Sequence, residues 1–305
     1  MTRDQNPDLN DTLSLGQAIQ QFAQALQAQG TAKDQAMREA ALLAESAMDL
    51  SPLQRLHGQH KPLSSFPKNK HFSAWATKYL AGMPLSRLQG QKGFYSHTFG
   101  INEYTLDPRP ETELLVETAC RHFHERKNES LDILELGVGS GCIILSLLKL
   151  FPNAMGVGTD ISPKALQQAH QNSENLDIKK RLTFLEGSWF SALENISKTS
   201  LAFDLIISNP PYIPRHTIKN LDPAVKDHDP HLALDGGPDG LDAYREILQH
   251  APRFLKKDGR VILEIGFDQK DAVESLGLKQ FSQVETLDDL AGHPRCVTLW
   301  HPLQK

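Results

Sequence analysis

Residues 131–148 read Leu-Asp-Ile-Leu-Glu-Leu-Gly-Val-Gly-Ser-Gly-Cys-Ile-Ile-Leu-Ser-Leu-Leu. An apolar run of strand length, a turn with three glycines and an apolar run of helical length follow one another without a gap. Such a unit places a tight turn at the carboxyl end of a buried strand and at the amino end of a helix. In open α/β sheets that is where ligands bind. A lone G-x-G-x-G fits many nucleotide sites. The dinucleotide pattern G-x-G-x-x-G is not met, because the third glycine, Gly141, comes one residue early. The spacing favours a nucleoside without a pyrophosphate.

Outward from this unit the pattern keeps alternating. Strands are expected at 131–136, 154–160, 182–187, 203–208 and 259–265, and helices at 141–150, 162–175, 240–255 and 268–276. Alternation of this kind argues for a parallel α/β sheet. Two final strands, 281–287 and 295–300, are separated by a gap too short for a crossover helix, so they are expected to be antiparallel. Upstream, Leu15, Ile19, Phe22 and Leu26 share one face of a helix over 12–29. A second helix is expected at 33–49, with Met37, Ala41, Ala44 and Met48 on one side. Ser51-Pro52 suits the start of a third. Phe72, Trp75, Ala76, Tyr79 and Leu80 suggest a fourth, ending at Gly82. These stripes read first as the packing of a small helical domain, residues 1–88. A hairpin linker is expected at 89–110, and the α/β domain at 111–305.

Four features fall after successive strands. The first is the loop Gly137, Val138, Gly139, Ser140, Gly141. The second is Asp160, 19 residues after Gly141, where a carboxylate can accept both hydroxyls of a ribose; its bland alternative is a helix cap, a role open to Ser162. The third is Trp189, which could flank an adenine or simply fill core. The fourth is Asn209-Pro210-Pro211-Tyr212. Two prolines fix φ and remove two donors, and Pro210 biases Asn209 toward an extended backbone. The Asn209 carboxamide and the carbonyls of Asn209 and Pro210 are then acceptors for a planar NH2 group, with Tyr212 able to stack on a flat substrate. Alone, this segment is equally an ordinary proline-rich turn. In order with the other three it indicates a bound nucleoside beside an amide-reading site.

Composition excludes several classes. The chain has 305 residues, 39% hydrophobic and 23% charged, an ordinary globular balance. A formal net charge of −5 argues against a dominant nucleic-acid surface, though Lys179, Lys180 and Arg181 form a local basic cluster. Three dispersed cysteines, Cys120, Cys142 and Cys296, give no metal spacing or disulfide framework. His228 and His231 are expected to be solvated loop residues, and no metal is expected. Residues 1–6 are polar and lack a signal core, and no apolar stretch is long enough to span a bilayer. A cytoplasmic protein without membrane contact is expected.

With these residues in hand, the chain resembles the peptide chain release factor N5-glutamine methyltransferases, the PrmC/HemK family. The likeness runs from about residue 85 to 300. It includes Pro108-Arg109-Pro110-Glu111-Thr112-Glu113, the glycine loop, Asp160, Trp189, Asn209 to Tyr212, Leu234 to Leu241, Glu264-Ile265-Gly266 and Asp289-Leu290-Ala291-Gly292. The parallel sheet closed by an antiparallel hairpin is likewise the layout of S-adenosylmethionine-dependent methyltransferases. The resemblance implies a Rossmann-like sheet of that class preceded by a helical substrate-docking domain. It implies S-adenosyl-L-methionine at Gly137 to Gly141, Asp160 and Trp189, with Asn209 also close to the methyl donor. It implies the substrate glutamine at Asn209, Pro210, Pro211 and Tyr212, with Asn209, Pro210 and Tyr212 carrying catalysis, and a class 1 peptide chain release factor as partner. Asn-Pro-Pro-Tyr also occurs in adenine-N6 and rRNA guanine methyltransferases; Pro108 to Glu113 and the helical domain tip the balance to glutamine. A ribosomal protein substrate, a DNA or RNA base, and a non-catalytic scaffold are the competing readings. The chain departs from the family pattern at Glu135, where Asp is usual, at Gly93, at Leu106-Asp107 and at Ser188.

Overall fold

The apolar run 203–208 is buried along its whole length, as a central parallel strand must be. In the computed structural model, which describes residues 9, 12–194 and 201–303, it lies inside a seven-stranded sheet. The polar stretch 1–6 lies outside the described residues. The chain divides between Gln89 and Gly90 into two compact units.

The first unit is helical: α1 (Leu15–Ala28), α2 (Lys33–Met48), α3 (Pro52–Gly58), α4 (Asn69–Leu80) and α5 (Leu85–Gln89). Capping boxes open α1 at Ser14/Gln17 and α3 at Ser51/Gln54, each satisfying otherwise orphaned N–H groups. Leu15, Ile19, Phe22 and Leu26 are buried, and Phe22 meets Phe72 and Tyr79 edge-on at 6.1 and 6.0 Å. The stripe of α2 differs from expectation. Ala44 and Met48 are buried as expected, but Ala36, Ala40, Leu43 and Ala47 are buried with them, Ala41 is half-buried and Met37 is exposed. Small side chains let the α1 and α2 backbones approach closely, which Met37 would prevent.

The second unit contains a hairpin, β1 (Gln91–Phe94) and β2 (His97–Gly100). After it come α6 (Glu113–His122), β3 (Asp132–Leu136), α7 (Cys142–Leu150), β4 (Met155–Asp160), α8 (Pro163–Asn175), β5 (Leu182–Glu186), β6 (Phe203–Ser208), α9 (Pro223–Lys226), α10 (Asp242–His250), β7 (Leu255–Glu264), α11 (Lys270–Gly277), β8 (Phe281–Asp288) and β9 (Pro294–Pro302). The hairpin packs Phe94 and Phe99 into the core under α6 and α7, and Asn172 of α8 holds both polar groups of Gly100. Strand order is β5-β4-β3-β6-β7-β9-β8. The first five are parallel, and β9 is antiparallel to both β7 and β8, as the short connection required. The chain therefore winds outward from β3 through β4 to β5, then returns to place β6 on the other side of β3. The crevice outside β3 and β6 is the topological switch point.

Most boundaries lie within about three residues of the sequence reading, and two differ by more. Strand β7 starts at Leu255 rather than 259, because the ladder to β6 slips between Phe203–Leu255 and Leu205–Arg260. Gly259 allows this irregularity, since a Cβ there would lie 2.9 Å from the Phe203 carbonyl oxygen. The helix expected over 240–255 ends at His250 and tightens into a 3-10 turn over Ala251–Phe254, because Pro252 has no N–H for the helical ladder. Two of the three residues in the basic cluster are engaged within the protein, and Lys180 is exposed. Arg181 donates to the carbonyls of Leu148, Phe151 and Ala154, and Lys179 pairs with Glu174. No helix among the described residues is long and apolar enough to cross a membrane.

Candidate active site

At the carboxyl ends of β3, β4, β5 and β6 lies a cavity of about 570 Å³. Gly137, Val138, Gly139, Ser140, Asp160, Trp189, Asn209 and Pro211 line it. Gly141, Pro210 and Tyr212 do not reach its lining. Leu106 and Ser188, two of the departures from the family pattern, also line it.

The loop after β3 is built by its glycines: Gly137, Gly139 and Gly141 have φ of 71°, 52° and 81°, values that side chains disfavour. Its donors are consumed by the protein. Gly137 and Val138 both donate to the Thr159 carbonyl, Gly139 to Asp160 Oδ2 at 2.9 Å, and Gly141 to the Val138 carbonyl. A loop whose N–H groups are taken in this way offers little to a phosphate. Asp160 accepts from Gly139 and Ser162, while the Ser162 hydroxyl caps α8. The carboxylate thus ties the glycine loop to the start of α8 and leaves the cap to Ser162. Burial pushes the Asp160 carboxyl up, against the N–H groups of Ser162, Gly139 and Ile161.

Glu135 is buried at the end of β3 and accepts from the Ile144 N–H in the first turn of α7 at 2.9 Å. Burial drives its carboxyl well above the usual range, opposed by that N–H and reinforced by the charge of Asp160. A cation in the cavity would offset the cost of both carboxylates. The other charged lining residues are Asp235, Asp242, Glu246 and Arg109. Arg109 is held by the buried Asp229 at 2.6 Å. The cavity wall is acidic.

The Asn209 loop is clamped from three sides. Ser208 Oγ donates to the Leu136 carbonyl at 2.7 Å, stapling β6 to β3 at the switch point. Ile213 exchanges backbone bonds with Leu234 and Gly236. Gln269 Nε2 donates to the carbonyls of Tyr212 and Gly240, and its Oε1 accepts from the Gly266 N–H. Leu234 to Leu241 and Glu264 to Gly266 thus brace the loop. Asn209 Nδ2 donates to Thr112 Oγ1 at 3.2 Å, and Thr112 Oγ1 donates to Glu264 Oε2 at 2.7 Å. Tyr212 directs its hydroxyl to Glu264 Oε1 at 3.4 Å.

Sequence reasoning quoted Thr112 and Glu264 only as motif members without a role, and did not name Gln269 or Asp229. Glu264 carried a signal, a carboxylate at the end of the apolar run Val261-Ile262-Leu263. Its partner Thr112 lies 152 positions away, a pairing that only the fold makes. Cys142 and Cys296 are buried, and no cluster of metal-ligating side chains occurs among the described residues.

Comparison with known proteins agrees with this arrangement. A family model described as a methyltransferase domain matches residues 127–288, and one described as the PrmC N-terminal domain matches residues 17–90. A release factor glutamine methyltransferase from Caulobacter vibrioides is 45% identical over 70% of this chain and 72% of its own. One from Bradyrhizobium diazoefficiens is 37% identical over 96% of this chain and 97% of its own. Among solved structures, the hMettl16 catalytic domain in complex with the MAT2A 3′UTR hairpin 6 matches with a TM-score of 0.52 at 12% identity, covering 67% of this chain and 75% of that one. At that identity the likeness speaks to the fold alone: a Rossmann-like, class I methyltransferase sheet. The sheet, the acidic cavity at its switch point and the match to these relatives, near full length for the second, lead to one assignment: the chain belongs to the release factor glutamine methyltransferase family.

Proposed function

We propose that this chain transfers a methyl group from S-adenosyl-L-methionine to the side-chain amide nitrogen (N5) of the Gly-Gly-Gln glutamine in class 1 peptide chain release factors. One observation carries the reading of the site. The cavity at the switch point is walled by Glu135, Asp160, Asp235, Asp242 and Glu246, of which Asp235 and Asp242 pair with Arg215 and Arg245; its single arginine is paired, and the N–H groups of Gly137, Val138, Gly139 and Gly141 are taken within the protein. That chemistry suits a cationic nucleoside and disfavours a pyrophosphate. When bound, the cofactor supplies an electrophilic methyl group on a positively charged sulfur.

The chain's own residues do the rest by positioning. Asp160 is the candidate acceptor for ribose hydroxyls, and Trp189 and Val138 are candidate walls for the base. An amide nitrogen is a poor nucleophile because its lone pair is delocalised into the carbonyl. With the Asn209 NH2 committed to Thr112, Asn209 Oδ1 remains to accept one substrate N–H, and the neighbouring Pro210 carbonyl, set back from the cavity lining, is the candidate acceptor for the other. Two fixed acceptors favour rehybridisation of that nitrogen and hold its lone pair in one direction. The amide proton becomes acidic only as the new N–C bond forms, so no strong base is required beforehand. Pro211 completes the wall on the substrate side, and Tyr212 stands behind it with its hydroxyl turned to Glu264. The helical unit is the proposed docking element for the release factor. Three free cysteines support a cytoplasmic setting, and the net charge of −5 supports a protein rather than a nucleic-acid partner.

The test is transfer of labelled methyl groups onto purified release factor, ribosomal protein and DNA, with the modified atom mapped by mass spectrometry. Label confined to a release-factor glutamine is expected. Label on DNA or on the ribosomal protein alone would overturn the substrate assignment.

A further inference from the structure

We propose that Thr112 and Glu264 are positioning residues for the transfer, forming a polarised hydrogen-bond chain that locks the Asn209 carboxamide with its oxygen free to read the substrate amide. The inference rests on the reading above, in which Asn209 Oδ1 receives a substrate N–H.

The argument is one of donor and acceptor inventory. A carboxylate only accepts, and a hydroxyl has one proton. Glu264 Oε2 lies 2.7 Å from Thr112 Oγ1, so an ionised Glu264 draws that proton to itself. The Thr112 oxygen is then left as an acceptor only. Facing it at 3.2 Å is the carboxamide of Asn209, which must present its NH2 there. A carboxamide has one NH2 and one oxygen, so committing the first fixes the second. Without that constraint the group can turn over about its terminal torsion, which has two nearly equivalent wells. The turned form sets its own NH2 against the NH2 of the substrate, a donor against a donor. The chain thus selects which of two isosteric faces the active site shows.

One proton reverses the polarity. A protonated Glu264 is itself a donor to Thr112 Oγ1. The Thr112 proton is then released toward Asn209, where it recruits Oδ1 and turns the carboxamide. Several groups face the Glu264 carboxyl. Thr112 and Glu111 come from the turn before α6, Tyr212 from the loop after β6, Arg295 and Cys296 from β9, Tyr244 from α10 and Cys142 from α7. Burial is the largest influence and raises the carboxyl from 4.5 to about 7; the Thr112 hydroxyl and Arg295 oppose it, and Glu111 adds to it. The reversal therefore falls within the range where such an enzyme is assayed.

The experiment compares wild type with Glu264→Gln, Thr112→Val, Thr112→Ser and the double variant Glu264→Gln/Thr112→Val, using purified release factor and S-adenosyl-L-methionine. Glu264→Gln and Thr112→Val are each expected to lower kcat by about tenfold, the worth of one directed hydrogen bond. Cofactor affinity by calorimetry stays at the wild-type value. Thr112→Ser, which keeps the hydroxyl, restores kcat. The double variant is no slower than the worse single one, because both cut the same chain. Wild-type kcat falls along an acid limb as pH drops through about 7, and Glu264→Gln shows no such limb. Unchanged kcat in Thr112→Val, survival of the limb in Glu264→Gln, or multiplication of the two effects would each overturn the inference. Asn209→Ala separates the two levels. If it collapses while the four variants work normally, only this inference falls; if it turns over normally, the amide-reading assignment falls with it.

Discussion

Replacing Glu264 by Gln is expected to make the protein more stable as well as slower, and the gain should grow with pH. The carboxyl is buried and its folded-state value of about 7 lies above its ordinary 4.5. Between those values the folded chain binds more protons than the unfolded chain. Stability then falls as pH rises through the window, and the loss is complete above about 7. At about 1.4 kcal/mol per unit, the shift corresponds to on the order of 3 kcal/mol. Gln has nearly the same shape and does not titrate. The stability difference between Glu264→Gln and wild type should therefore widen by on the order of 3 kcal/mol between pH 4.5 and 7 and stay level above that. For a unit of this size that amounts to roughly 10 °C in Tm. The assay is urea unfolding of both proteins without cofactor, across pH 4.5 to 8.5, followed by far-ultraviolet circular dichroism. Parallel stability curves would refute the reasoning, because they would mean that Glu264 carries no buried charge. A difference that narrows with rising pH would refute it more strongly.

Other outcomes follow from the same geometry. Asp160→Ala removes a carboxylate from the cavity and unties the N–H groups of Gly139 and Ser162; cofactor affinity by calorimetry should fall at least about tenfold, and an unchanged Kd would remove Asp160 from the site. Gln269→Leu strands the Gly266 N–H and the carbonyls of Tyr212 and Gly240. At about 1–3 kcal/mol for each unsatisfied buried group, both Tm and turnover should drop, and a wild-type melting curve would show that the clamp contributes nothing.

The sheet was legible because its signals are local. Phe203 to Ser208 is an apolar run of strand length, Ser162-Pro163 is a cap followed by proline, and the short 288–294 connection permits only an antiparallel return. The order of Gly137–Gly141, Asp160, Trp189 and Asn209 along the chain already placed them at successive strand ends, and four adjacent strands bring them to one cavity. What was not legible is what the fold alone pairs. Thr112 with Glu264, Gln269 with Tyr212 and Arg109 with Asp229 are each joined across long stretches of sequence. Nor does the pattern Asn-Pro-Pro-Tyr say which way Tyr212 turns; its hydroxyl is drawn to Glu264, a residue more than 50 positions later. The stripe of α2 is met at Ala44 and Met48 but lies one residue off in its first half, because periodicity does not say that close helix packing prefers Ala36 and Ala40 to Met37 and Ala41.

The account stands or falls on Asn209. Purified wild type and Asn209→Ala should be incubated with release factor at saturating S-adenosyl-L-methionine, and the product digested and mapped by mass spectrometry. Wild type should place one methyl group on the side-chain amide of a glutamine. Asn209→Ala should bind the cofactor with wild-type affinity and yet transfer about 100-fold more slowly or worse, as preorganised polar groups do. Near-normal methylation of that glutamine by Asn209→Ala would contradict the central claim.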